Sequence, residues 1–154
     1  MGALYFNSVE NGVVSALLRA GARMLVIGGH AVVFHGYVRP LKDLDIFVLA
    51  SAENAAKVAT GLRALGLTIS EQVETGLAAP SKQVPLPPPY AGVELLTSLK
   101  GVEFLEAEAE ASFAVVEGLS VPVISARHLV ISKTARSEAK DLADIEGLRS
   151  VCAV

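Results

Sequence analysis

Tryptophan is absent from this chain of 154 residues, cysteine occurs once, and aromatic residues make up only 5%. With five Phe and three Tyr in all, the core has to be built from Ala, Val, Leu and Ile. The lone Cys152 excludes an intrachain disulfide framework, which fits a reducing compartment, and a cytoplasmic location is expected. No run of about eighteen apolar residues occurs, so no spanning helix and no membrane partner are expected. The N-terminal segment has no basic region leading into an apolar stretch, so no secretory leader is expected. His30, His35 and His128 are scattered, and nothing has zinc-ligand spacing. Basic runs are missing too. With 13 Lys and Arg against 16 Asp and Glu, the net charge is −3, which speaks against a non-specific nucleic-acid binder.

What is present is apolar and aliphatic. Hydrophobic residues make up 52% and charged residues 19%, the balance of a globular chain and not of a disordered one. The length fits one domain with a real core. A mean hydropathy of +0.50 is high for a soluble monomer, so self-association into a homodimer is a further expectation.

Periodicity gives an α/β order with a mixed sheet. A first helix is expected over 7–20, stopped by Gly21. Strand 24–28, helix 29–36 and strand 44–49 follow. Ser51 caps a helix over 52–65 that Gly66 ends. A short strand is expected at 67–69 and a proline-rich loop over 76–90, because Pro80, Pro85 and Pro87-Pro88-Pro89 lack ladder donors. Then come a strand carrying Glu94, a helix over 103–111, and a hairpin turning at Glu117-Gly118. Ser125 caps the next helix, and the last runs over 137–149.

Two features inside this order carry chemistry. The buried-type strand Met24-Leu25-Val26-Ile27 runs into Gly28-Gly29 and then a helix. Paired glycine lets the backbone take unusual angles and lets a ligand approach, and the free N–H groups at a helix start favour an anion. Asp43 and Asp45 open the second strand at i, i+2, so both carboxylates share one face. Two like charges held that close call for a cation. Carboxylate oxygens suit Mg²⁺, or Mn²⁺ in its place, which takes the rest of its shell from water and phosphate. Taken singly, a Gly-Gly is an ordinary strand-to-helix turn and an Asp-x-Asp an ordinary strand start.

Together and in this order, Gly28-Gly29 and Asp43-Leu44-Asp45-Ile46 resemble the signature of the DNA polymerase β-type nucleotidyltransferase superfamily. More narrowly, the chain resembles small bacterial nucleotidyltransferase domains, including the minimal enzymes of toxin–antitoxin and phage-defence operons. The resemblance implies that Gly28 and Gly29 lie against a triphosphate and that Asp43 and Asp45 bind Mg²⁺. It places Glu94 where the third acid of the family falls, as a metal ligand or as general base toward the incoming hydroxyl, although that residue is usually Asp. It lets Lys133 reach the nucleotide as a point charge. Asp141 and Asp144, in the stretch Arg136-x-x-x-Lys140-Asp141-x-x-Asp144, are expected to cap or brace a helix pair. A second departure is Leu41, where the family often has Thr. Arg39 and Lys42 stand as phosphate partners, with Arg39 equally able to pair with a carboxylate. His30 adjoins Gly29 and is a nucleotide-binding candidate, though a place on the helix surface is the plainer expectation.

The implied reaction is transfer of a nucleoside monophosphate from an NTP, ATP for preference, to a hydroxyl on a protein or small molecule. In the toxin–antitoxin setting that acceptor would be a cognate toxin. The competing expectation is a degenerate fold, supported by Leu41 and Glu94, that works as a protein-binding module.

Overall fold

The computed structural model describes residues 2–154. Thirteen elements follow one another: α1 (Ser8–Arg19), β1 (Met24–Ile27), α2 (Gly28–Phe34), β2 (Leu44–Val48), α3 (Ala52–Ala64), α4 (Glu71–Leu77), β3 (Gln83–Pro85), β4 (Val93–Leu96), α5 (Phe104–Ala109), β5 (Ser112–Val116), β6 (Leu119–Val123), α6 (Ala126–Arg136) and α7 (Ala139–Val151). The strands form one mixed sheet in the order β3-β4-β2-β1-β6-β5. β2 runs antiparallel to β1 and parallel to β4, and β1 runs parallel to β6. The mixed α/β architecture is the one expected.

Local chemistry accounts for the element starts. Asn7 and Glu10 form a reciprocal capping box at α1. The hydroxyls of Ser51, Ser70 and Ser125 each accept a backbone N–H in the first turn of α3, α4 and α6. The buried amide of Asn54 accepts from the Arg23 N–H and donates to the carbonyls of Arg23 and Leu49, which ties α3 to the start of β1 and the end of β2. Glu117 and Gly118 both have positive φ, 49° and 81°, as the tight hairpin turn between β5 and β6 requires.

Two expectations fail around residue 70. Residues 67–69 form no strand, and 76–90 is not all loop. Ser70 instead starts α4, with Glu71 and Glu74 in its first turn and Leu77 fully buried. Inside the proline-rich segment, Gln83–Pro85 pairs antiparallel with β4 as the outermost strand of the sheet. An edge strand tolerates proline because one side of its backbone has no partner to lose.

The core is aliphatic, as composition dictates. Leu17, Leu25, Leu44, Ile46, Leu62 and Leu95 are fully buried, with Phe47 set edge-on against Phe104. Among the described residues, no helix is long and apolar enough to cross a membrane.

All three histidines are bound into the packing. His30 is 2% exposed, which corrects its expected place on the helix surface. Its ring faces Glu10 and Phe6, which α1 and its lead-in bring over α2. His35 bonds through Nε2 to the carbonyl oxygen of Ile124 at 2.7 Å. Burial lowers the pKa of both His30 and His35 below the usual 6.5. The unfolded chain therefore takes up protons that the folded one refuses, and stability falls as pH drops through 6.5 and below. Thermal midpoints between pH 7.5 and 5.5 should show this slope in an Asp45→Asn background, which removes a carboxyl that titrates near 6 with the opposite sign. A His30→Gln/His35→Gln protein should flatten it, and an unchanged slope would refute the assignment.

Candidate active site

β2 lies between β1 and β4, and register places Asp45 opposite Ile27 on one side and Glu94 on the other. Residues opposite one another in neighbouring strands share a face, so Asp45 and Glu94 point the same way. Asp43 joins them two residues upstream, as strand alternation requires. Directly after Ile27 the chain turns at Gly28, with φ +66°. A Cβ there would stand 2.9 Å from Asp45 Oδ2. The glycine turn and the carboxylate strand, joined in the sequence reading only by pattern, therefore pack directly against each other.

They open into a cavity of about 510 Å³, within the range of small-molecule sites. Its wall includes Gly28, Gly29, Arg39, Lys42, Asp43, Asp45, Glu94 and Lys133. Eight of the nine site residues expected from the sequence thus converge on one space. The ninth, His30, does not line it.

The far wall comes from α6 and α7. Arg39 donates to Asp144 through Nε at 2.7 Å and Nη2 at 2.9 Å. Lys133, buried on α6, donates to the same carboxylate at 2.9 Å and stands 3.6 Å from Asp141. Arg136 forms a two-pronged pair with Asp141. Burial pushes the Asp141 and Asp144 carboxyls up. The Arg136 pair at Asp141, the Arg39 pair at Asp144 and the Lys133 charge outweigh it, so both titrate below the usual carboxylate range. Asp141 and Asp144 brace the helix pair as expected. Lys133 lines the cavity, but its ammonium is already held by these two acids. Lys42, by contrast, is exposed and has no ion-pair partner among the described residues.

Asp45 behaves in the opposite way. Burial, then the charges of Glu94 and Asp43, push its carboxyl up to about 6 against the usual 3.8. Arg136 and Lys140 relieve this only in part. A cation between these carboxylates would remove the repulsion, and two carboxylates with phosphate and water suffice for Mg²⁺. Asp43 and Asp45 fit that ion by donor chemistry and by electrostatic demand. The wider triad does not close up: among the described residues, no three His, Cys, Asp or Glu side chains converge into a metal-holding group.

Among the wall residues that carried no assignment from the sequence are Arg136, Lys140 and Tyr37. Arg136 and Lys140 flank the junction of α6 and α7 in the stretch Arg136 to Asp144, where a site role could have been suspected. Tyr37 lies between Gly36 and Arg39, with no signal of its own.

No protein-family description matches the chain, and no curated protein sequence does. A solved structure does. The crystal structure of the lincosamide antibiotic adenylyltransferase LnuA, bound to lincomycin, superposes with a TM-score of 0.61 at 14% sequence identity. The match covers 97% of this chain and 99% of that one. This chain shares the fold of that adenylyltransferase. At this identity the likeness establishes the architecture, and the chemistry rests on the side chains described above.

Gly28 offers a direct test of the turn. Alanine there has to hold a positive φ and displace the Asp45 carboxylate. Gly28→Ala should cost about 1–3 kcal/mol of stability, read by urea denaturation. A neutral result would mean that the turn relaxes freely.

Proposed function

We propose that this protein is a metal-dependent nucleotidyltransferase that moves a nucleoside monophosphate from an NTP to a hydroxyl group. The observation that carries the reading is the contact between the Gly28 turn and Asp45 inside one cavity. It sets an anion-accepting backbone beside carboxylates that demand a cation.

In this reading the triphosphate lies over Gly28-Gly29, with Lys42 as the free cation at the rim. Asp43 and Asp45 would hold Mg²⁺, which would supply neutralisation of the phosphate charge. Glu94, on the same face as Asp45, takes the proton of the acceptor hydroxyl. That oxygen bonds to the α-phosphorus as the bond to pyrophosphate breaks. Catalysis then comes from positioning and electrostatics, as elsewhere in phosphoryl-type transfer.

The acceptor we favour is a small hydroxylated molecule. LnuA is described as an antibiotic adenylyltransferase with lincomycin bound, and this chain spans nearly all of it. A protein acceptor, a cognate toxin included, is the other form of the same activity. A second reading, a degenerate fold that docks to a protein, is favoured by the open arrangement of the three acids and by Leu41.

Calorimetry with ATP and GTP, with and without Mg²⁺, separates the two. Mg²⁺-dependent binding by wild type, lost in an Asp43→Asn/Asp45→Asn protein, is the expected result. A folded wild type that binds no nucleotide would overturn the enzyme reading in favour of the docking module.

A further inference from the structure

We infer that Tyr37 is the platform on which the nucleobase of the bound nucleotide stacks, an inference that rests on the nucleotidyltransfer reading. Tyr37 is the one aromatic residue in the wall of the cavity, in a chain with only eight aromatic residues outside its histidines. A flat, polarisable base has no other ring to meet there.

The ring is also held in place. A Cβ built on Gly147 would meet Cγ, Cδ1 and Cδ2 of Tyr37 at equal and prohibitively short distances. A point equidistant from those three atoms lies over the centre of the ring, so one face of Tyr37 lies flat on the backbone of α7. Any larger residue at 147 would push the ring away. With that face closed, the surface that Tyr37 gives to the cavity is the remainder of the ring. The Tyr37 backbone N–H is fixed in turn to the carbonyl of Val32 in α2. A ring clamped in this way loses little freedom when a base lies on it.

The wall also offers apolar surface suited to a base. Ala143, one turn before Gly147, and Leu129 on α6 also line the cavity, giving small and apolar neighbours. The hydroxyl of Tyr37 has no hydrogen-bond partner among the described residues and is left for solvent or ligand. The groups read as holding phosphate and metal are Gly28, Lys42, Asp43 and Asp45, while Arg39, Lys133 and Arg136 on the helix side are already paired with Asp144 and Asp141.

Stacking on an aromatic side chain commonly contributes tenfold or more to affinity. The test compares Mg²⁺-ATP with Mg²⁺-tripolyphosphate, which has the phosphates and no base, by calorimetry. Wild type should bind ATP at least about tenfold more tightly than tripolyphosphate. Tyr37→Leu should lose about tenfold for ATP and leave tripolyphosphate unchanged, while Tyr37→Phe should keep both. Equal losses for both ligands would show that Tyr37 only supports α7, and no loss for either would show that the base lies elsewhere. Either overturns the inference. The wild-type comparison stands even if Tyr37→Leu fails to fold, since equal affinities for ATP and tripolyphosphate would also overturn it. Failure of the nucleotidyltransfer reading is distinct from all of these, because wild type would then bind neither ligand.

Discussion

Asp45→Asn is expected to abolish nucleotide transfer and, at the same time, to make the protein more stable. The loss of activity should reach roughly 10³-fold, at or beyond the top of the range for removing one electrostatic contact to a reacting group. The gain in stability follows from the raised Asp45 carboxyl. For an acid whose folded pKa is raised, the folded chain keeps its proton between 3.8 and about 6 while the unfolded chain has released it. Stability therefore falls as pH rises through that window, and the whole penalty is present at pH 7. Asn has the same shape and no charge, so the penalty disappears. Because Asp45 keeps partial contact with water, the expected gain is about 1–2 kcal/mol, less than the full shift would give. For a chain of this length that is about 2–8 °C in thermal midpoint. Mg²⁺ should raise the midpoint of wild type and not of Asp45→Asn. A variant that transfers nucleotide normally would sink the assignment of Asp45. One that melts lower than wild type would show that no electrostatic strain is stored there.

Asp144→Ala should have the largest effect on the fold itself. One carboxylate holds Arg39 by two bonds and Lys133 by a third. The Lys133 side chain is 7% exposed against 29% for Arg39, so lysine carries most of the penalty when the acid goes. Removing one partner of a buried pair costs about 3–5 kcal/mol, and Asp141, which stays 3.6 Å from the Lys133 ammonium, sets the effect at the lower end of that range. The midpoint should then fall by about 6–20 °C. Adding Lys133→Met to the same protein should recover part of that loss, because the buried charge left with only the longer Asp141 contact goes with it. A drop below about 1 kcal/mol in Asp144→Ala alone would mean that water reaches Lys133 and that the far wall is soft. The outcome bears on function, since the network fixes Arg39 beside Gly29. A Cβ at Gly29 would lie 3.1 Å from the guanidinium.

The two cation walls explain why the site reads as it does in the sequence. Five basic and five acidic side chains line the cavity, so it has no net formal charge that composition could reveal. Asp43 and Asp45 were legible because strand alternation is local. Two residues apart on a strand means one face, whatever the rest of the chain does. Gly28-Gly29 was legible for a similar reason, as a break at the join of a strand and a helix. Glu94 was placed by resemblance, and it is the sheet that sets it beside Asp45, through a strand pairing between residues some fifty apart. The short strand Gln83–Pro85 was missed because proline argues against a ladder, and only its position at the sheet edge removes the objection.

The sequence by itself determined the aliphatic core, the helix starts at Asn7, Ser51 and Ser125, the hairpin turn at Glu117-Gly118, and the two pieces of the site that lie within one element or one turn. Each depends on contacts a few residues long, which spacing and residue type are enough to specify. Only the tertiary structure decided what the cations do. It gave Arg39 and Lys133 to Asp144, put His30 into the core against Glu10, left Lys42 without an ion-pair partner among the described residues, and laid Tyr37 on Gly147. In each case the deciding neighbour comes from another element. Whether a charged or aromatic side chain meets a ligand or another side chain depends on which groups the fold brings within reach, and spacing along the chain does not carry that information.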